Sequence, residues 1–339
     1  MKRTVPHQNL IKPIKPFRTY EEQIDNLINR KGIIINDVPK AIADLESISY
    51  YALIDGYKDL FYNPDTRTYL TGTTFEDIRN LYDFDASLRD LIFSYSRIVE
   101  QSIRSLVSYH FANMNGANQS AYLAPANYYP VKSSRADVSK LIKILDYEAN
   151  VNPQHPYIVY QRRTYNNVPL WVLVNTLTFG QISRMYSLLS PEIKTKVSRH
   201  FISVSERDLI QFLRVLTNFR NVCAHNERLF SYQDRYDIPN TALHMKLEIP
   251  MNGHQYIYGK KDLFAVIISF RYLLRWTMGK GIPLFCADHA GTATDTVNTS
   301  AAVTTAVTTT QPLTRKPSSC RRHKDFIRIH HPIRSLIYE

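Results

Sequence analysis

From Ile78 to Val107 apolar side chains return every third or fourth residue (Ile78, Leu81, Phe84, Leu88, Leu91, Ile92, Tyr95, Val99, Ile103, Leu106, Val107). That spacing is helical, since one face of an α-helix is visited at i, i+3, i+4 and i+7, whereas a strand alternates. It predicts one long helix from Phe75 to about Met114. A helix of that length with a single apolar stripe is stable only when other elements cover the stripe. The covering elements are also helical in pattern, so the expected fold class is all-α.

Thr19 followed by Glu22 is a capping-box signature, with Ile24, Leu27 and Ile28 behind it and Gly32 as the stop. Pro39 to Tyr51 reads as a second helix and Ala136 to Asn150 as a short one. Thr178-Phe179-Gly180 reads as a turn before a helix carrying Ile182, Met185 and Leu188. Pro191 to His200 follows as a short charged helix, and Leu263 to Met278 as an apolar one. Asn63 to Thr74, Asn115 to Ser134 and residues 151–167 carry turn residues and read as connections, and residues 244–258 suit a small hairpin. Tyr50, Tyr51 and Tyr57 offer a stacking platform for bases, although an aromatic cluster beside a Gly more often packs a corner. The expected organisation is a basic, Pro-punctuated arm over 1–18, a helical domain over 19–286, and a Thr/Ala/Val-rich and basic tail over 287–339 that is too poor in periodic apolar residues to fold.

With 339 residues and 44% hydrophobic content the chain can bury a substantial core. Its formal charge of +12 favours a polyanionic partner. Much of the excess lies at the ends, where Lys2, Arg3, Lys12, Lys15 and Arg18 face the cations from Arg315 to Arg334 across the length of the chain. Cys223, Cys286 and Cys320 are too far apart in sequence for a CxxC metal pair and odd in number, so no disulfide framework is expected and a reducing cytoplasm fits. No signal peptide or membrane span is expected. No metal or organic cofactor is called for.

Chemistry-bearing side chains concentrate in Arg220-Asn221-Val222-Cys223-Ala224-His225-Asn226-Glu227-Arg228, at the end of an amphipathic helix beginning near Glu206. If the helix continues, Asn221 and His225 are one turn apart and Arg228 stacks beyond them, which puts an amide, an imidazole and a guanidinium on one face. That set suits general acid/base chemistry on a phosphodiester. It equally suits the end of a helix, where cations and Asn satisfy the last carbonyls.

Six blocks in order extend this motif: Lys15 to Ile24, Ile48 to Tyr57, Leu81 to Asp85, Arg97 to Arg104, Leu170 to Gly180, and Arg220 to Arg228. On these the chain, over about residues 14–280, resembles the Abi family of AbiD/AbiF-like bacterial abortive-infection proteins, within the wider HEPN superfamily. Arg220, Asn221 and His225 match the HEPN pattern of Arg, four to six residues, and His, with Asn after the Arg. The resemblance implies a HEPN-like helical bundle with an additional N-terminal helical region, and a homodimer whose paired motifs build one site for RNA. It implies metal-independent cleavage in which His225 exchanges protons with the ribose 2′-hydroxyl or the leaving 5′-oxygen. Arg220 would hold the phosphate and Asn221 would orient the imidazole or a phosphate oxygen.

Glu100 matches the acidic residue that often pins the motif Arg, and Arg104 and Arg228 are supporting candidates for phosphate. The implied role is a phage-defence toxin, restrained by a partner such as an antitoxin RNA or protein. A non-catalytic RNA-binding module, or a protein-interaction module, is the alternative.

Overall fold

The computed structural model describes residues 16–129 and 134–274. Most of the 1–18 arm and all of the 287–339 tail lie outside the described residues, as do Cys286 and Cys320. The described chain is helical apart from two minimal hairpins, which makes the fold all-α. It divides into two compact units, Met1–Asp83 and Phe84–Glu339, with the boundary inside the long helix.

In the first unit Thr19 caps α1 (Tyr20–Asp25): its hydroxyl accepts from the Glu22 amide, and the Glu22 carboxylate accepts from the Thr19 amide at 2.9 Å. A wider π-turn over Asn26–Arg30 carries the chain to Gly32, whose positive φ ends the segment. Asp37 caps α2 (Val38–Ile48). The stretch read as a polar connection, 63–74, holds part of a two-residue hairpin, β1 (Tyr62–Asn63) against β2 (Thr68–Tyr69). Tyr57 is buried and meets Tyr82 edge-on at 5.4 Å, while Tyr51 is exposed. Tyr57 therefore packs a corner, and the three tyrosines do not present one stacking face.

The long periodic run forms α3 (Phe75–Asn115), within a residue or so of the expected span. In the second unit its buried positions, among them Ile92, Val99, Ile103 and Val107, join one core. Around them come α4 (Gln119–Leu123), α5 (Arg135–Asp146), α6 (Pro156–Tyr165), α7 (Leu170–Leu173), α8 (Phe179–Leu188), α9 (Pro191–Ser198), α10 (Glu206–Ala224), α11 (Ala242–Lys246) and α12 (Leu263–Leu273). The expected hairpin within 244–258 is present as β3 (Met251–Asn252) and β4 (Gln255–Tyr256). The part of the expected last helix beyond Leu274 lies outside the described residues.

Three readings need correction. Residues 151–167 are not a plain connection, because Pro156 sits in the first turn of α6 and Asn166 closes it in the left-handed conformation. Its single fully buried residue, Ile158, gave no periodic stripe to read. Thr178-Phe179-Gly180 is not a turn either: Thr178 caps α8 in a box with Gln181, and Gly180 lies inside the helix. A Cβ at Gly180 would lie 3.4 Å from the Thr217 methyl, so the small residue permits the close approach of α8 and α10. Residues 115–134, also read as a connection, contain α4.

Two histidines sit where the neutral ring is favoured. Buried His244 accepts from the Thr241 amide at Nδ1 (3.1 Å), and its Nε2 faces the Gly259 carbonyl at 2.9 Å. Both bonds are satisfied by the neutral ring. His110 on α3 meets His200 with Nε2 atoms 2.9 Å apart. Burial, with Lys260 for His244 and with His200 and Lys196 for His110, pushes both pKa values below the ordinary 6.5. A histidine whose folded pKa is depressed takes up its proton first in the unfolded chain, so its stabilisation is complete above 6.5 and declines as pH falls. Urea unfolding followed from about pH 8 down to about pH 5 should show a falling unfolding free energy, and His110→Gln should flatten part of that slope.

Candidate functional site

Ser205 starts α10 with a capping box to Asp208. Leu209, Phe212, Leu213, Leu216, Phe219, Val222 and Cys223 then bury one face of the helix in the core. That anchoring fixes the rotation of the last turn, and with it the direction in which Arg220, Asn221 and His225 leave the helix.

Arg220 is held against α3. Its guanidinium lies over the Phe93 ring, 5.6 Å from the centroid, and Nη2 stands 3.7 Å from Oε2 of Glu100. This is an ion pair slightly longer than a hydrogen bond. The other carboxylate oxygen of Glu100 accepts from Arg104 Nη2 at 2.5 Å, and the same Nη2 reaches the Leu177 carbonyl, also at 2.5 Å. The Glu100 side chain is 5% exposed. A carboxylate so far from water is costly unless paired, and here two guanidiniums pair it. The trio keeps one net positive charge. Nε of Arg220 and Nε of Arg104 are both buried without a hydrogen-bond partner, a cost that the charge pairing with Glu100 offsets.

Asn221 is exposed, its Oδ1 3.4 Å from Arg220 Nη1, and its carbonyl accepts the His225 amide at 3.0 Å. His225 is the C-cap residue and is exposed. The Asn226 amide bonds the Cys223 carbonyl at 3.2 Å and the Glu227 amide bonds the Val222 carbonyl at 3.0 Å, with Asn226 at a φ of 53°. This is a Schellman ending with Asn in the left-handed position. The capping reading of the motif therefore holds for Asn226, while Asn221 and His225 stay one turn apart as the other reading requires.

Arg228 does not stack with them. The helix stops at Ala224, so Arg228 lies in the following loop with its guanidinium 5.8 Å from the Phe230 ring centroid.

That loop is fixed by a residue whose role the sequence reading did not assign. Asp85 on α3, fully buried, accepts from the Leu229 amide at 2.9 Å and the Phe230 amide at 2.7 Å. Arg89, one turn on, donates to the same carboxylate at 2.7 Å and reaches the Glu227 carbonyl at 3.4 Å. The available signal was an i,i+4 Asp–Arg pair lying on the apolar stripe of α3 instead of its solvent side. Cys223 beside the motif is buried, which raises its thiol pKa to about 12; it is a packing residue at neutral pH. Among the described residues no three His, Cys, Asp or Glu side chains come together in a way that could hold a metal ion.

The structure thus brings together Arg220, Asn221, Glu100 and Arg104, sets His225 one turn beyond, and leaves Arg228 apart. A family model described as Abi-like protein matches residues 43–231, more than half of the chain, and the motif and its α3 partners fall within it. The chain belongs to the family of Abi-like proteins. No curated protein and no solved structure matches it significantly. Among the described residues no helix is long and apolar enough to cross a membrane.

Removing Asp85 leaves two backbone amides and a buried guanidinium without their acceptor. Asp85→Ala should lower the unfolding free energy by about 3–5 kcal/mol in urea titration, and hydrogen exchange at the Leu229 and Phe230 amides should speed up. An unchanged midpoint with unchanged exchange would show that Asp85 does not hold the loop.

Proposed function

We propose that this Abi-like protein is a phage-defence toxin of the abortive-infection kind and that it cleaves RNA at a site built from Arg220, Asn221 and His225. The observation that carries this reading is the Glu100-anchored Arg220 with Asn221 beside it, and the exposed imidazole of His225 one helical turn beyond Asn221. Arg220 and Arg104 supply the charge that a phosphodiester needs, and the pairing with Glu100 holds Arg220 ready before substrate arrives.

In the proposed reaction His225 takes the proton of the ribose 2′-hydroxyl, the 2′-oxygen bonds to phosphorus, and the bond to the 5′-oxygen breaks. An imidazolium returns a proton to that leaving oxygen. Arg220 neutralises the charge that develops on the phosphoryl oxygens. DNA, without the 2′-hydroxyl, is not a substrate. The HEPN-type homodimer, and restraint by an antitoxin RNA or protein, belong to the same proposal.

RNA binding without cleavage is the second reading, and the exposure of His225 favours it, since an unanchored imidazole grips phosphate more readily than it transfers protons. Purified wild type and His225→Ala should be incubated with total RNA in the presence of EDTA. His225→Ala should cut at least about a hundredfold more slowly while retaining RNA in a filter-binding assay, and Arg220→Ala should weaken retention as well. Equal retention with no cleavage by wild type would remove the enzymatic reading and leave the binding one.

A further inference from the structure

We propose that the outward face of α6 and α7 is a stacking surface for the unpaired bases of single-stranded RNA, continuous with the Arg220–Glu100–Arg104 cluster. The proposal rests on the RNA reading above and specifies its substrate class.

Tyr157, Tyr160, Tyr165 and Trp171 are 41%, 55%, 60% and 48% exposed. Large aromatics at that exposure mark recognition surfaces more often than packing. The exposed side chains of α6 are Pro156, Tyr157, Tyr160, Arg163, Thr164 and Tyr165. Neither an aliphatic anchor nor an acid is among them. A helix that docks on another protein usually presents Leu, Ile or Met, whereas rings with polar tips beside guanidiniums suit bases beside phosphates. Tyr160 and Tyr165 stand edge to face at 6.1 Å, leaving ring faces free for stacking.

The charge pattern points the same way. Between Glu148 and Glu192 the chain contains no Asp or Glu, while Arg162 and Arg163 on α6 fall within that interval; Arg184, further on, is paired with Asp137. Glu148 at the near end is engaged by the Asn152 amide at 2.9 Å. Arg162 donates to the Ala149 carbonyl at 2.7 Å, so its charge is fixed in place without being neutralised by a carboxylate.

The surface also leads to the site. Glu100 is held by Arg104 Nη2 at 2.5 Å. Arg104 in turn grips the Leu177 carbonyl just beyond α7.

The test uses the full chain carrying His225→Ala, so that RNA survives, and fluorescence anisotropy with a labelled single-stranded oligoribonucleotide and with the same strand annealed to its complement. Adding Tyr160→Ala and Tyr165→Ala should weaken single-strand binding by roughly tenfold or more and leave duplex binding nearly unchanged. Tyr160→Phe with Tyr165→Phe keeps the rings and should restore affinity, which separates stacking from misfolding. Unchanged single-strand affinity in the alanine variant overturns the proposal while the RNA reading stands. Loss of self-association by light scattering with RNA affinity intact also overturns it, assigning the face to a second copy of the chain. No RNA binding by the parent overturns both readings.

Discussion

The Glu100 carboxylate is the hinge of the second unit's polar architecture. It is buried on α3, and burial of an unpaired carboxylate would be prohibitive. Its two partners come from different places: Arg104 from the same helix one turn on, and Arg220 from the last turn of α10. Through the Leu177 carbonyl Arg104 also reaches the segment before α8. One charge thereby ties together three parts of the chain far apart in sequence. The apolar face of α10 sets its rotation, and the ion pair with Glu100 and the contact with Phe93 then hold the Arg220 side chain that leaves it.

A second buried carboxylate performs the complementary task at the far end of the motif. Where Glu100 fixes the side chain of Arg220, Asp85 fixes the backbone after His225 by accepting two successive amides, and Arg89 compensates its charge. Both acids belong to α3. The motif helix therefore contributes the chemistry while α3 contributes the positions. This explains a sequence economy in the family-matched region: the long helix carries its charged residues Asp85, Arg89 and Glu100 on buried positions, where each must meet a specific partner.

The helices that bury a regular stripe were readable from the sequence. The long run to Asn115 and the amphipathic helix from Glu206 both appear with nearly the expected bounds, because apolar periodicity is what packing requires of them. The capping box at Thr19 is equally local. What escaped was non-local or non-periodic. Helix α6 buries Ile158 and little else, so its pattern resembled a connection, although Pro156 and Asn166 bracket it properly. The motif's continuation to Arg228 failed because Asn226 adopts the left-handed conformation, a choice that the local sequence permits without dictating. The partnership of Glu100 with Arg220 came from family resemblance and not from spacing, since residues 120 positions apart leave no periodic trace. Asp85 left only its i,i+4 spacing to Arg89 on the apolar stripe as a trace, because its other partners are backbone amides.

Arginine is the residue this arrangement demands at position 220. The side chain has three simultaneous tasks: packing over Phe93, answering the Glu100 carboxylate, and keeping Nη1 near Asn221. A planar guanidinium performs them together because its faces stack while its edges donate. An ammonium at the same place would approach Glu100 as a point charge, pair with it more completely, and have neither a face for Phe93 nor a second edge for an incoming phosphate. The separation of 3.7 Å between Arg220 and Glu100 fits that division of labour, because the closer contact of Glu100 is with Arg104. Arg104 thus satisfies most of the carboxylate's demand, and Arg220 is positioned by a charge that does not consume all of its hydrogen-bonding capacity.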